Sequence, residues 1–104
     1  MAQGFHTIIV GAGSAGCLLA NRLSRDPKRR VLLIEAGGRD DYHWVHIPVG
    51  YLKCIGNPRT DWCFKTVPEP GLNGRSLGYA RGKVLGGCSS INAMVYMRGQ
   101  KGDY

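Results

Sequence analysis

The segment Gly11-Ala12-Gly13-Ser14-Ala15-Gly16 stands between two stretches of different periodicity, and it constrains the fold more than any other feature. Ahead of it, His6-Thr7-Ile8-Ile9-Val10 is a β-branched run stopped by a glycine, the pattern of a buried strand. Beyond it, over residues 14–25, Ala15, Leu18, Leu19 and Leu23 (with Arg22 among them) recur at helical spacing. Asn21, Arg25 and Asp26 fall on the solvent side. Pro27 cannot continue a helix, and Asp26-Pro27-Lys28 reads as a turn. Residues 30–35 form a second apolar run, ended by Gly37-Gly38. Strand, helix and strand within about 30 residues make a βαβ unit, whose crossover is right-handed. Both strands are continuously apolar rather than alternating, which predicts a parallel sheet covered on both faces.

Glycines at this junction have separate jobs. Gly11 permits the tight turn, Gly13 lets the backbone approach a pyrophosphate, and Gly16 lets the helix pack closely on the strand. The helix N-terminus then offers N–H groups and the positive end of its dipole to the phosphates. Glu35 ends the second strand about 20 residues further on, where a carboxylate accepts hydrogen bonds from ribose hydroxyls. It would repel a 2′-phosphate, which argues against NADP. The predicted class is therefore α/β, with a Rossmann-like βαβ nucleotide-binding unit over residues 5–38.

Composition narrows the remaining classes. The 104 residues allow one small domain at most. Residues 7–20 are uncharged but short of the about 20 needed for a membrane span. The start lacks a basic region, and glycines interrupt the apolar run, so no secretory leader is expected and a cytoplasmic location is. Cys17, Cys54, Cys63 and Cys88 show no C-x-x-C pair and no zinc spacing; they are expected as free thiols, and no metal site is assigned. The net charge is +7, yet the cations are scattered apart from Lys28-Arg29-Arg30, and no nucleic-acid motif accompanies them. A nucleic-acid partner is not expected.

Residues 39–80 show no sustained period and are punctuated by Pro48, Asn57-Pro58, Pro68, Pro70-Gly71 and Asn73-Gly74, an irregular connection of the kind used as a cover or functional insertion. Within it, residues 62–67 are the clear strand candidate, with Trp62, Phe64 and Thr66 on one face. Core packing is the favoured role for Trp62 and Tyr51. Residues 81–99 change character again. Gly86-Gly87 precedes Cys88-Ser89-Ser90, a bare-backbone loop with hydroxyls able to cap a following helix. Such a loop is either a structural turn or a second N–H cluster facing the same pyrophosphate or a flavin edge.

Three segments together resemble the glucose–methanol–choline (GMC) oxidoreductases, most of all the choline- and alcohol-dehydrogenase-like members. They are the fingerprint Ile8-Ile9-Val10-Gly11-Ala12-Gly13-Ser14-Ala15-Gly16, the run Leu32-Leu33-Ile34-Glu35-Ala36-Gly37-Gly38, and Gly82-Lys83-Val84-Leu85-Gly86-Gly87-Cys88-Ser89-Ser90-Ile91-Asn92. The resemblance covers nearly the whole chain. It implies FAD as cofactor, with Gly11, Gly13, Ser14, Ala15 and Gly16 at the pyrophosphate and Glu35, beside Ala36, at the ribose. It implies Val84, Gly86, Gly87, Asn92, Ala93, Met94 and Val95 near the flavin, with Trp62 close by.

Two departures from the family pattern matter. Cys88 stands where Ser or another small residue is common. Ile91 stands where some members attach flavin through a histidine, so FAD is expected to be noncovalent. Family members are several times longer and carry their catalytic His and its His or Asn partner near the far C-terminus. His6, His43 and His46 match neither, so no catalytic residue is assigned. The implied function is oxidation of a small-molecule alcohol by hydride transfer to flavin, with residues 1–104 as the N-terminal portion of the FAD domain. The substrate's identity and the electron acceptor are not legible. The alternative is a free-standing dinucleotide-binding module without turnover.

Overall fold

The computed structural model describes residues 4–104. Strand β1 (Thr7–Val10) pairs in parallel with β2 (Val31–Ile34), in the register Thr7↔Val31 to Val10↔Ile34, and helix α1 (Ser14–Leu23) connects them. The ladder runs one residue further, where the Gly11 N–H donates to the Ile34 carbonyl at 2.7 Å. This is the expected βαβ unit. The helix stops two residues before the expected end: the Ser24 N–H closes the last turn onto Ala20, and Asp26 folds the chain over by accepting the Lys28 N–H at 2.9 Å.

The packed face of α1 differs from the expected one. Leu18 and Leu19 are about half exposed, while Gly16 is buried and Cys17, Ala20 and Leu23 are half-buried. Close approach at Gly16 decides this: a Cβ there would run into the Gly11 carbonyl, so the helix turns its Gly16–Ala20–Leu23 side to the sheet. Cover on both sheet faces is also not what the described residues show. Ile9 is buried, but Ile8, Val10 and Ile34 are exposed, Val10 to 83%.

Residues 39–80 form short pieces, as the punctuation predicts, and some are helical. Two 3₁₀ turns, His43–His46 and Pro48–Gly50, lead into a one-turn helix α2 (Tyr51–Cys54). The expected strand at 62–67 contracts to β3 (Phe64–Lys65), antiparallel to β4 (Gly78–Tyr79). Its start is cut short by Cys63, which takes a left-handed φ of 55°. Its far end persists as hydrogen bonding, since Thr66 accepts the Leu77 N–H on its hydroxyl and donates its own N–H to the Leu77 carbonyl.

The buried cluster lies beneath the second glycine loop. Cys54, Val84 and Ile91 form it, with Tyr42, Trp44, Val45 and Ala80 packed around. Burial pushes the Cys54 thiol up. All four cysteines are free thiols.

The helix expected with the second glycine loop, within residues 81–99, does not form. The loop makes a single 3₁₀ turn, Gly87–Ser90. The serine hydroxyls donate backwards, Ser89 to the Gly86 carbonyl at 2.6 Å and Ser90 to the Leu85 carbonyl at 2.8 Å, so neither caps a helix. The Asn92 side chain accepts the Met94 N–H at 2.8 Å, and Met94 adopts a left-handed φ of 59°, which ends any helical continuation.

Candidate cofactor groove

At the carboxyl ends of β1 and β2 the chain presents backbone rather than side chains. The first intrahelical bond of α1 runs from the Cys17 N–H to the Gly13 carbonyl at 2.9 Å, so the N–H groups of the preceding turn have no partner within the helix. Gly11 takes the left-handed turn its position requires, with φ of 96°. Where Gly13 lacks a Cβ there is open space, and nothing of the protein fills it.

Glu35 sits half-buried beside this turn. Its Oε2 accepts the Ala12 N–H at 2.7 Å and its Oε1 accepts the Gly37 N–H at 2.8 Å. Each carboxylate oxygen keeps a further lone pair, so a fixed acceptor remains for a ligand hydroxyl. The sequence placed Glu35 near a ribose; its grip on the glycine turn was not legible, because it depends on where two backbone amides point.

The second glycine loop docks onto the first. The Gly86 N–H donates to the Ala12 carbonyl at 2.8 Å, and the Leu85 N–H to the Gly38 carbonyl at 2.9 Å. A Cβ on Gly37 would collide with the Lys83–Val84 backbone, and one on Gly87 would touch the Gly13 Cα. Close approach of the two loops therefore depends on glycines at both positions.

Between the loops lies a groove of about 470 Å³. Gly11, Gly13, Glu35, Ala36, Trp62 and Gly87 of the expected site residues line it, together with Phe64, Arg81, Gly82 and Cys88, which the sequence reading did not assign. Arg81 and Gly82 open the motif that carries the second loop, and Phe64 shares a strand face with Trp62; those were the available signals. Core packing is not the role of Trp62. The residue is 42% exposed, and its ring stacks on Phe64 at 5.7 Å and 5° and lies 4.7 Å from the Lys83 ammonium, so it forms a groove wall.

Other expected residues lie elsewhere. Ser14 and Ala15 are exposed in the first turn of α1. Val84 is only 1% exposed, within the core, and its carbonyl accepts the Gly87 N–H at 2.8 Å. Gly86 is half-buried at the junction of the loops. Asn92 and Met94 line a separate cavity of about 150 Å³ with His46 and Tyr51. Ala93 and Val95 are exposed.

Asp61, a buried carboxylate that the sequence reading passed over, lies behind the groove. Burial alone would push its carboxyl up, but the backbone N–H groups of Gly56, Arg81 and Cys63 outweigh that and hold it below the usual range. Among the described residues no group of His, Cys, Asp and Glu is arranged to hold a metal, and no helix is long and apolar enough to cross a membrane.

Parallel strands, a glycine turn opening a helix, and an acid at the end of the second strand define a dinucleotide-binding α/β protein. The GMC oxidoreductase profile matches residues 5–104, and the chain belongs to that family, in its FAD-binding N-terminal domain. The chain is 58% identical over 100 residues to an "Alcohol dehydrogenase [acceptor]" of Pseudomonas putida, covering 96% of this chain and 18% of that protein. It is 48% identical to the mitochondrial choline dehydrogenase of Homo sapiens, again over 96% of this chain and 18% of the relative. Among solved structures, pyridoxine 4-oxidase from "Mesorbium loti" superposes with a TM-score of 0.90 at 44% identity, over 96% of this chain and 19% of that one. The chain thus spans under a fifth of the length of these relatives.

Proposed function

We propose that the protein is an oxidoreductase that oxidises an alcohol and that this chain holds its FAD noncovalently. The observation that carries the reading is the groove itself, with bare backbone at Gly13 and Gly87 and the tethered carboxylate of Glu35 on one wall. In this reading the α1 N-terminus, residues 11–16, takes the pyrophosphate. Glu35, with Ala36 beside it, takes the ribose. Trp62 and the second loop, with Gly86 and Gly87, face the flavin; Val84 is buried beneath that loop, and Asn92, Ala93, Met94 and Val95 lie outside the groove. FAD, when bound, accepts hydride from the alcohol carbon; the protein's part is to hold and orient it.

Noncovalent attachment is supported at Ile91, an apolar side chain only 3% exposed in the core cluster. The names of the relatives, alcohol and choline dehydrogenases, support a CH–OH donor as substrate. No catalytic residue of this chain is assigned. Free thiols at all four cysteines agree with a reducing compartment such as the cytoplasm.

The test is direct. The purified full-length protein is precipitated with acid, and the supernatant is analysed by chromatography. FAD in the supernatant, in step with protein amount, is expected. Flavin that stays with the pellet through denaturing electrophoresis contradicts the noncovalent reading and makes Cys88 the first residue to examine. A protein that carries no flavin and binds none on titration removes the FAD reading altogether.

A further inference from the structure

Asp61 is 3% exposed, and nothing in the proposed FAD contacts uses it. Its Oδ2 accepts the Gly56 N–H at 2.8 Å, and its Oδ1 accepts the N–H groups of Cys63 at 3.0 Å and Arg81 at 2.9 Å. Those amides belong to three separate stretches: the exit from α2, the start of β3, and the approach to the second glycine loop. Backbone bonds cluster at the same place. The Trp62 N–H donates to the Arg81 carbonyl at 2.9 Å, and the Lys83 N–H to the Thr60 carbonyl at 2.8 Å.

From Arg81 the restraint reaches the ligand side in two steps. Gly82 follows directly; its N–H donates to Cys88 Sγ at 3.4 Å, and a Cβ on it would enter the Gly87 backbone. Gly87 in turn abuts the Gly13 Cα. Arg81, Trp62, Gly82, Gly87 and Gly13 all line the groove. Residues 55–63 have no regular element of their own, so a buried acceptor that gathers three backbone donors sets their path.

We propose that Asp61 is a positioning residue for the FAD groove: its carboxylate fixes Arg81, Trp62 and, through Gly82, the second glycine loop against Gly13. The proposal rests on the reading that the groove binds FAD. Asp61→Asn keeps the shape but turns one acceptor oxygen into a donor that faces a backbone N–H. Thr60→Val is the matched control. It removes the equally buried bond from the Thr60 hydroxyl to the Cys54 carbonyl, one residue away, and leaves Arg81 held.

The experiment titrates full-length apoprotein with FAD, at a temperature where both variants are folded, and records the visible circular dichroism of the bound flavin. Asp61→Asn is expected to weaken FAD binding by about ten-fold or more, the loss of one hydrogen bond to a charged acceptor, and to change the flavin spectrum. Thr60→Val is expected to lower Tm but leave both readouts unchanged. Equal FAD loss in the two variants, in proportion to Tm, shows a merely structural role and overturns the proposal, as does wild-type affinity in Asp61→Asn. If Asp61→Asn does not fold, hydrogen exchange of the wild-type apoprotein decides: the Arg81 amide is expected to be protected before FAD is added, and unprotected exchange overturns the proposal. Wild-type protein that binds no FAD fails the FAD reading itself, and the positioning role falls with it.

Discussion

At Glu35 one carboxylate takes the Ala12 N–H on one oxygen and the Gly37 N–H on the other, so the isosteric amide cannot satisfy both. Glu35→Gln leaves a partly buried N–H facing an NH₂ group, at a cost of about 1–3 kcal/mol, and removes a charged acceptor from the ribose position. Weaker FAD retention together with a lower Tm is expected, from titration and thermal unfolding of the full-length variant. Unchanged flavin occupancy after dialysis would remove Glu35 from the site. The proposed ribose contact of Glu35 comes from sequence, because an acid at the fingerprint's distance is a spacing pattern. Its bonds to the protein were hidden, as was Asp61: backbone donors leave no mark in side-chain order. Asp61 carries its own test. Its folded pKa is lowered, so its contribution to stability is fully present above the ordinary carboxylate value, about 4. That contribution is lost as pH falls through the folded value. Wild-type Tm is expected to fall with acidification below about pH 4, and Asp61→Asn to show a lower Tm at neutral pH with a shallower acid slope. Parallel acid slopes would show that Asp61 is not the titrating group.

The two glycine loops are elements whose separate existence was plain from sequence, and whose docking was not. Gly37-Gly38 read as a strand terminator, yet the two positions are unequal. A Cβ at Gly37 collides with the Lys83–Val84 backbone, while at Gly38 it meets nothing within 4 Å. Gly37→Ala must push the second loop away from the end of β2, and overpacking of this kind costs about 1–3 kcal/mol. Gly38→Ala is expected to be close to neutral. Thermal unfolding and FAD titration of the pair check this, and equal effects would mean the loops do not pack as described. The helix expected over the second loop failed for a related reason. Gly86-Gly87-Cys88-Ser89-Ser90 fits a helix N-terminus as a string, but both glycines take left-handed φ, 92° and 59°, and the hydroxyls bond back to the loop. A loop that shapes a groove and one that caps a helix use the same residues; φ separates them, and sequence does not specify it.

On the scale of the molecule, the Cα radius of gyration is 17.4 Å, with extents of 59 × 37 × 29 Å. A compact domain of this length would have a radius near 13 Å. Among the described residues the buried apolar ones are few, Ile9, Ala12, Cys54, Val84 and Ile91, and β1 and β2 leave Ile8, Val10 and Ile34 exposed. Continuous apolar strands announced the parallel pair, but cover depends on elements distant in sequence, which strand composition does not reveal. So few buried apolar side chains give a small hydrophobic contribution to set against the cost of ordering the chain. The groove has glycine backbone and Glu35 on one side and Trp62, Phe64 and Arg81 on another. Residues 1–104 expressed alone are therefore expected to unfold without a sharp transition, to expose apolar surface to a hydrophobic dye, to hold FAD weakly, and to oxidise no alcohol. Calorimetry and FAD titration of the isolated segment are the measurements. A single cooperative transition together with tight, stoichiometric FAD binding would show that the βαβ unit and the two docked loops suffice as a nucleotide-binding module, and that the exposed faces of β1 and β2 need no partner.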